Sequence, residues 1–234
     1  MNVNSHNQNK YDDYYLAEDT KWRQICSKDK ANTIIRLCDD NNIVNLLEIG
    51  AGDGAILYQL DNNNFASNYT ALEISKSGIN KIKEKYISKL QNIDTFDGYD
   101  TPYKNNQFDL VIMSHVIEHV PYPRKLINEA MRIGKHLYFE VPCEDNIRLK
   151  YNYTPDRTGH INFYSPKTFR RLLQTCDLHI EKEYLYNPSL ESYKYLHGIK
   201  GIVPYLIKQS LIKLSERFAS RLFTYNYSVL CNEM

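Results

Sequence analysis

Two groups of residues in this 234-residue chain have the types and spacing to do chemistry. The first is a set of carboxylates around glycines. Glu48 stands just ahead of Gly50, Gly52 and Gly54, Asp53 sits among them, and Glu73 follows at about the twenty-residue interval where an acid can grip ribose hydroxyls. Glycines let the backbone turn tightly and approach a ligand that a Cβ would push away. Gly50, Gly52 and Ala55 also fit the loose dinucleotide fingerprint G-x-G-x-x-G/A. A pyrophosphate, however, wants bare amides and positive potential at a helix start. Carboxylates at Asp53 and Glu48 suit a ligand bearing an ammonium and a sulfonium better. The second group is His115, His119 and His160, whose imidazoles can take a proton near neutral pH. His115, Glu118 and His119 also spell H-x-x-E-H, an inverted zinc-peptidase motif. That motif needs one continuous helix to bring two histidines onto a metal. His115 follows the buried-looking run 110–113 and so belongs to a strand end, and no metal site is expected.

The elements that must position these residues follow from the apolar pattern. Residues 43–49 are a run too short for a helix, and with the glycines they read as a buried strand, a sharp turn and a helix start. Residues 11–42 read as helical, with Leu16, Trp22, Ile25, Cys26, Ile34, Ile35 and Cys38 packing over the sheet edge. Residues 1–10 are polar and expected to be disordered. Strands at 68–75, 107–115 and 135–142 alternate with helices at 76–89 and 120–134. That rhythm predicts a doubly wound, mostly parallel α/β sheet with helices on both faces. Ser165 and Pro166 mark a helix start as N-cap and first helical residue, and strands follow at 178–186 and 224–231. Between those strands lies an insertion, residues 187–223, with a helix predicted from Pro204. Its apolar face is read as Ile207, Leu211, Leu214, Phe218 and Leu222, with Lys208, Lys213, Arg217 and Arg221 on a solvated opposite face.

With Glu48 ahead of the glycines, the loop resembles motif I, E/D-x-G-x-G-x-G, of the class I S-adenosylmethionine-dependent methyltransferases. FDGYDTP (96–102) resembles the family's D-A-x-x-L-P segment, with Gly98 for the usual Ala and Thr101 for the usual Leu. QFDLVIMSHVIEHV (107–120) looks like the fourth strand and following loop of members acting on small molecules, the type 11 and type 23 kinds. GHINFYSP (159–166) is similar to a later segment. The resemblance implies a seven-stranded Rossmann-like sheet with S-adenosyl-L-methionine above the first and fourth strands. It places Glu48, Gly50, Ala51, Gly52, Glu73, Ile74, Asp97, Gly98 and Ser114 around that cofactor. Glu73 would take the ribose hydroxyls and Asp97 the adenine amino group. His115 would lie at the methionine end, with His119, ahead of His160, as the base. Related enzymes often fold an N-terminal aromatic segment over the cofactor; Tyr14, Tyr15 and Trp22 are read first as packing residues and second as such a lid.

The length suits one domain over residues 1–234, and a formal charge of +1 gives no pull toward nucleic acid. Five scattered cysteines without a C-x-x-C pair, and a polar start without a signal peptide, predict a cytoplasmic protein. No apolar run is long enough to span a membrane. The expected activity is methyl transfer to an oxygen, less favourably a nitrogen, of a small-molecule acceptor. The insertion is expected to cap the acceptor pocket. The alternatives are a nicotinamide-dependent oxidoreductase and a non-catalytic S-adenosylmethionine-binding regulator.

Overall fold

The computed structural model describes residues 20–39, 42–96, 98–154 and 159–233. The expected disorder of residues 1–10, the roles of Tyr14, Tyr15 and Leu16, and the cofactor residue Asp97 fall outside the described residues. In chain order the elements begin with α1 (Thr20–Cys38), β1 (Asn45–Ile49), α2 (Ala55–Asn62), β2 (Asn68–Glu73), α3 (Lys76–Glu84), β3 (Leu90–Thr95) and β4 (Phe108–Ser114). They continue with α4 (Pro123–Ile133), β5 (Gly134–Pro142), α5 (Pro166–Gln174), β6 (Leu178–Tyr186), α6 (Leu190–His197), α7 (Ile202–Leu214), α8 (Glu216–Leu222) and β7 (Asn226–Glu233). Short 3₁₀ turns lie at Ile117–His119 and Gly198–Gly201.

The seven strands form one sheet in the order β3-β2-β1-β4-β5-β7-β6. Only β7 runs antiparallel to its neighbours; every other pairing is parallel. Along the central strands the side chains alternate between two apolar layers. Leu47, Ile49, Val111, Met113, Leu137, Phe139 and Val229 face one layer, and Leu46, Leu110, Ile112, Tyr138 and Leu230 the other. Near-continuous apolar runs of this kind are what a sheet covered on both faces requires. The chain reverses direction across the sheet between β1 and β4, which lie side by side. The crevice at the carboxyl ends of two such strands is where doubly wound sheets take ligands.

Local chemistry explains the helix starts nearest that crevice. Ser75 caps α3 by accepting from Gly78 N at 3.0 Å. A Cβ at Gly78 would lie 2.7 Å from the Gly52 carbonyl oxygen, so a glycine here lets α3 press directly against the glycine loop. Ser165 and Thr168 cap α5 reciprocally, and Pro166 occupies its first turn as predicted. The insertion departs from the prediction. It holds three helices rather than one, and α7 starts at Ile202, which puts Pro204 inside its first turn. Its polarity is also reassigned. Leu211 and Ile212 pack against the core, whereas Ile207, Leu214 and Phe218 are exposed. Lys208, expected in solvent, lies over the rings of Tyr193 and Tyr225 and donates to the Thr224 carbonyl at 2.7 Å.

Candidate functional site

A cavity of about 560 Å³ opens at the carboxyl ends of β1, β2, β4 and β5. Its walls include Glu48, the glycine loop, Glu73, Ile74, Gly98, Ser114 and all three candidate histidines. The sequence-predicted site residues are therefore brought together, apart from Asp97, which lies outside the described residues. The volume falls within the range of cofactor-sized pockets, roughly 300–1,000 Å³.

The loop after β1 is a cradle whose backbone favours glycine. Gly50, Gly52 and Gly54 have φ of 73°, 60° and 72°, in the left-handed region. A Cβ on Gly50 would also approach Val116 Cγ2 to 2.6 Å. Glu73 is locked to the cradle: Oε2 accepts from Gly52 N at 2.7 Å and Oε1 from Ser75 N at 2.8 Å. Those two amides fix the carboxylate facing the cavity, where its remaining lone pairs can receive ligand hydroxyls. Glu48 is buried in the cavity wall, and its Oε2 has no hydrogen-bond partner among the described residues. Burial pushes its carboxyl well above the usual range; Lys30 pulls it down, and the nearby Asp53 and Glu73 push it up further.

Asp53 plays a different part from the one its sequence position suggests. It precedes α2 rather than opening it, and its Oδ1 accepts from Ala55 N at 3.2 Å. Arg23 Nε at 3.2 Å and Lys85 Nζ at 3.5 Å compensate its charge.

The histidines occupy three distinct settings. His115 follows β4 with φ of 57°, which rules out the helical metal motif, and its imidazole lies between two buried carboxylates. Nδ1 is 3.3 Å from Glu118 Oε1 and Nε2 is 3.2 Å from Glu140 Oε1, contacts held by charge rather than by well-aligned hydrogen bonds. Burial and Lys30 oppose protonation of His115, but Glu118 and Glu140 outweigh them and raise its pKa. Burial opposes ionisation of Glu140 too, yet His115, Lys30 and Tyr186 bring its pKa down to about 2. Glu140 also accepts from the hydroxyls of Tyr138 at 3.0 Å, Tyr186 at 2.9 Å and Ser228 at 3.0 Å. The two carboxylates thus favour the protonated form of His115, just beyond the end of β4.

His119 closes the 3₁₀ turn, with Nδ1 3.3 Å from the Gly159 carbonyl oxygen. His160 stands beside it at 4.8 Å between ring centroids, edge to face, and its Nδ1 lies 2.6 Å from Glu144 Oε2. A carbonyl or carboxylate oxygen can only accept, so each Nδ1 carries a proton, and in the neutral form of each ring Nε2 holds the lone pair. Burial lowers the pKa of His119 despite the opposing charge of Glu118, which keeps it neutral near pH 7. Glu118, His119 and His160 offer ligand atoms within 4.8 Å of one another, a cluster the H-x-x-E-H spacing does not announce.

Sequence reasoning missed Lys30, Glu140, Glu144 and Tyr186. Only Glu140 carried a signal, a lone acid in the apolar strand LYFEVP. Trp22 does reach the cavity wall, and it stacks on Tyr195 of the insertion at 5.9 Å. Of the insertion itself, only Pro188 lines the cavity among the described residues, so its helices do not cap the pocket directly.

Comparison with known proteins adds an independent line. The profile of a family described as "Methyltransferase domain" matches residues 11–183. The fold is similar to that of the [4+2]-cyclase SpnF, at 16% identity and a TM-score of 0.64, covering 88% of this chain and 80% of that one. It is also similar to geranyl diphosphate C-methyltransferase from Streptomyces coelicolor A3(2), solved with Mg2+, a geranyl diphosphate analogue and S-adenosyl-L-homocysteine (13% identity, TM-score 0.62, 88% and 76% covered). A third is a putative sarcosine dimethylglycine methyltransferase from Galdieria sulphuraria (14% identity, TM-score 0.60, 88% and 84% covered). No curated protein matches the chain. At these identities the structures speak for the fold, and the family profile speaks for the family.

Proposed function

The chain belongs to the methyltransferase-domain family and is an S-adenosylmethionine-dependent enzyme; from that premise we propose that it methylates an oxygen of a small-molecule acceptor, with His160 as general base. The observation that carries the reading is the His160–Glu144 contact at 2.6 Å, in the wall of the same cavity as the glycine cradle. S-adenosylmethionine supplies a methyl group already activated by its sulfonium. The cradle of Gly50, Ala51 and Gly52, with Ile74, Gly98 and Ser114, shapes its bed. Glu73 takes the ribose hydroxyls, Glu48 faces the cationic methionine end, and Asp97 keeps its sequence-based assignment to the adenine amino group. The protein's task is then alignment and proton removal. Glu144 fixes the His160 tautomer and stabilises the imidazolium that forms when Nε2 takes the acceptor's proton. Burial disfavours the cation of His119, the residue favoured on sequence, and its Nδ1 meets a neutral carbonyl where that of His160 meets a carboxylate. His119 is assigned to hydrogen bonding the acceptor, and His115 to positioning. An oxygen nucleophile is favoured because a hydroxyl needs a base, whereas a neutral amine can attack first and lose its proton afterwards. A cytoplasmic setting is part of the same reading, supported by five cysteines that are all free thiols.

Incubation with methyl-labelled S-adenosylmethionine and a fractionated metabolite extract should label a small-molecule fraction. His160→Ala should lower turnover on that acceptor by roughly 10²–10⁴ and leave cofactor affinity nearly unchanged. Wild-type turnover should fall as pH drops through the base's pKa, since an imidazolium cannot accept a proton. A His160→Ala enzyme with near-normal turnover would remove the base assignment. A second reading follows from the Glu118, His119 and His160 cluster, which could hold a cation that activates the acceptor oxygen. Exhaustive chelation separates the two, because the base reading expects undiminished turnover.

A further inference from the structure

The insertion presents an apolar stripe that no described residue covers. No residue of α7 is buried. Val203 is 62% exposed, Leu206 54% and Leu214 80%, and Ile199 in the preceding 3₁₀ turn is 84% exposed. At 3.6 residues per turn, Val203, Leu206, Ile207, Ser210 and Leu214 share an arc of about 100°, the width of an amphipathic helix's apolar face. Phe218 on α8 is also exposed. Lys213 borders this arc on α7, Lys200 sits in the turn that leads into the helix, and both are exposed. The other face of α7 is already occupied, because Leu211 and Ile212 pack on the core. Charge is concentrated in the same segment. Residues 187–223 hold six basic side chains (Lys194, Lys200, Lys208, Lys213, Arg217, Arg221) against two acidic ones (Glu191, Glu216), a net +4. The whole chain carries +1, so the remainder carries −3.

We propose that α7 and its flanking turns dock the enzyme on an anionic lipid surface, with the stripe from Ile199 to Leu214 sunk among the lipids and the flanking lysines at the headgroups. An apolar arc bordered by lysines is the form of a helix lying in the membrane interface, where apolar burial and attraction to anionic lipid act together. No helix among the described residues is long and apolar enough to cross a membrane, so the contact is peripheral. A second copy of the chain fits the surface poorly, since pairing these faces would bring two net-positive segments together. The insertion leaves and rejoins the sheet at the cavity, lined by Tyr186 and Pro188 on one side and Asn226 on the other, so docking would hold the site beside the bilayer.

Sedimentation with vesicles tests this on the full chain without any methyl acceptor. Binding should be at least about tenfold tighter to phosphatidylcholine vesicles containing roughly a third phosphatidylglycerol than to phosphatidylcholine alone, and should weaken with salt. Val203→Ser with Leu206→Ser should lower it about tenfold or more, because exposed positions can lose apolar area without disturbing the core. Lys200→Glu with Lys213→Glu should lower anionic binding by a similar factor while leaving circular dichroism and S-adenosylmethionine affinity unchanged. Absent binding to both vesicles would overturn the proposal. So would a dimer in light scattering that the serine pair dissolves, which would assign the stripe to a second copy.

Discussion

Glu48 carries the most distinctive electrostatics in the site. Its carboxyl is held well above the usual range, first by burial and then by Asp53 and Glu73 against the pull of Lys30. The free protein therefore keeps that proton to higher pH than the unfolded chain does, so the contribution of Glu48 to stability falls as pH rises through its folded pKa. A ligand ammonium reverses the preference, because an adjacent cation favours the carboxylate. Binding of S-adenosylmethionine should thus release a proton from Glu48, and affinity should rise with pH above the ordinary carboxyl range. Calorimetry in two buffers of different ionisation enthalpy measures that proton, and Glu48→Gln should abolish its release. Equal proton release from the Gln variant would place it elsewhere. The sequence made Glu48 and Glu73 legible because each is an acid closing an apolar run. Glu144 follows the end of a strand in a polar stretch, and its pairing with His160 sixteen residues on is created only by the fold.

Among the elements, those legible from sequence were those with a single buried pattern. The strand predicted at 178–186 coincides with β6, and Ser165 with Pro166 marks the start of α5 because cap chemistry is local. β3 was not delimited in advance, since it is an edge strand with no fully buried residue and hence no apolar run to read. α7 misled for the opposite reason: it is apolar on two sides, and periodicity alone cannot say which side meets the core. The insertion is also less separable than a cap would be, because Ala219 of α8 is completely buried in the main core. The glycine loop, in contrast, is fixed by conformation as much as by space. Gly50→Ala would need a left-handed alanine and would drive its Cβ to 2.6 Å from Val116 Cγ2. It should destabilise the protein by about 1–3 kcal/mol, the usual size of such backbone strain. Thermal unfolding without cofactor checks this, and an unchanged melting temperature would mean that the loop tolerates a Cβ.

Taken as a whole molecule, the chain places its chemistry by one topological fact, the reversal of strand order between β1 and β4. That reversal gathers Glu48, Glu73, Ser114 and His115 at neighbouring strand ends, although they are spread over 68 positions of sequence. The alternation of strands and helices was enough to foresee the sheet, and the family profile removes the nicotinamide-dependent alternative. The acceptor is not legible, because much of the cavity's wall is built from loops whose contacts no periodicity encodes. The central claim is that the cradle and Glu73 together hold S-adenosylmethionine by its ribose. Titration calorimetry on the wild type, Glu73→Gln and Glu73→Ala tests it most directly. The alanine variant should lose roughly 1–3 kcal/mol of cofactor affinity, the usual cost of stranding a buried polar partner, and the glutamine variant less because one acceptor survives. Wild-type affinity in the alanine variant, with the fold intact by circular dichroism, would contradict this placement of the cofactor.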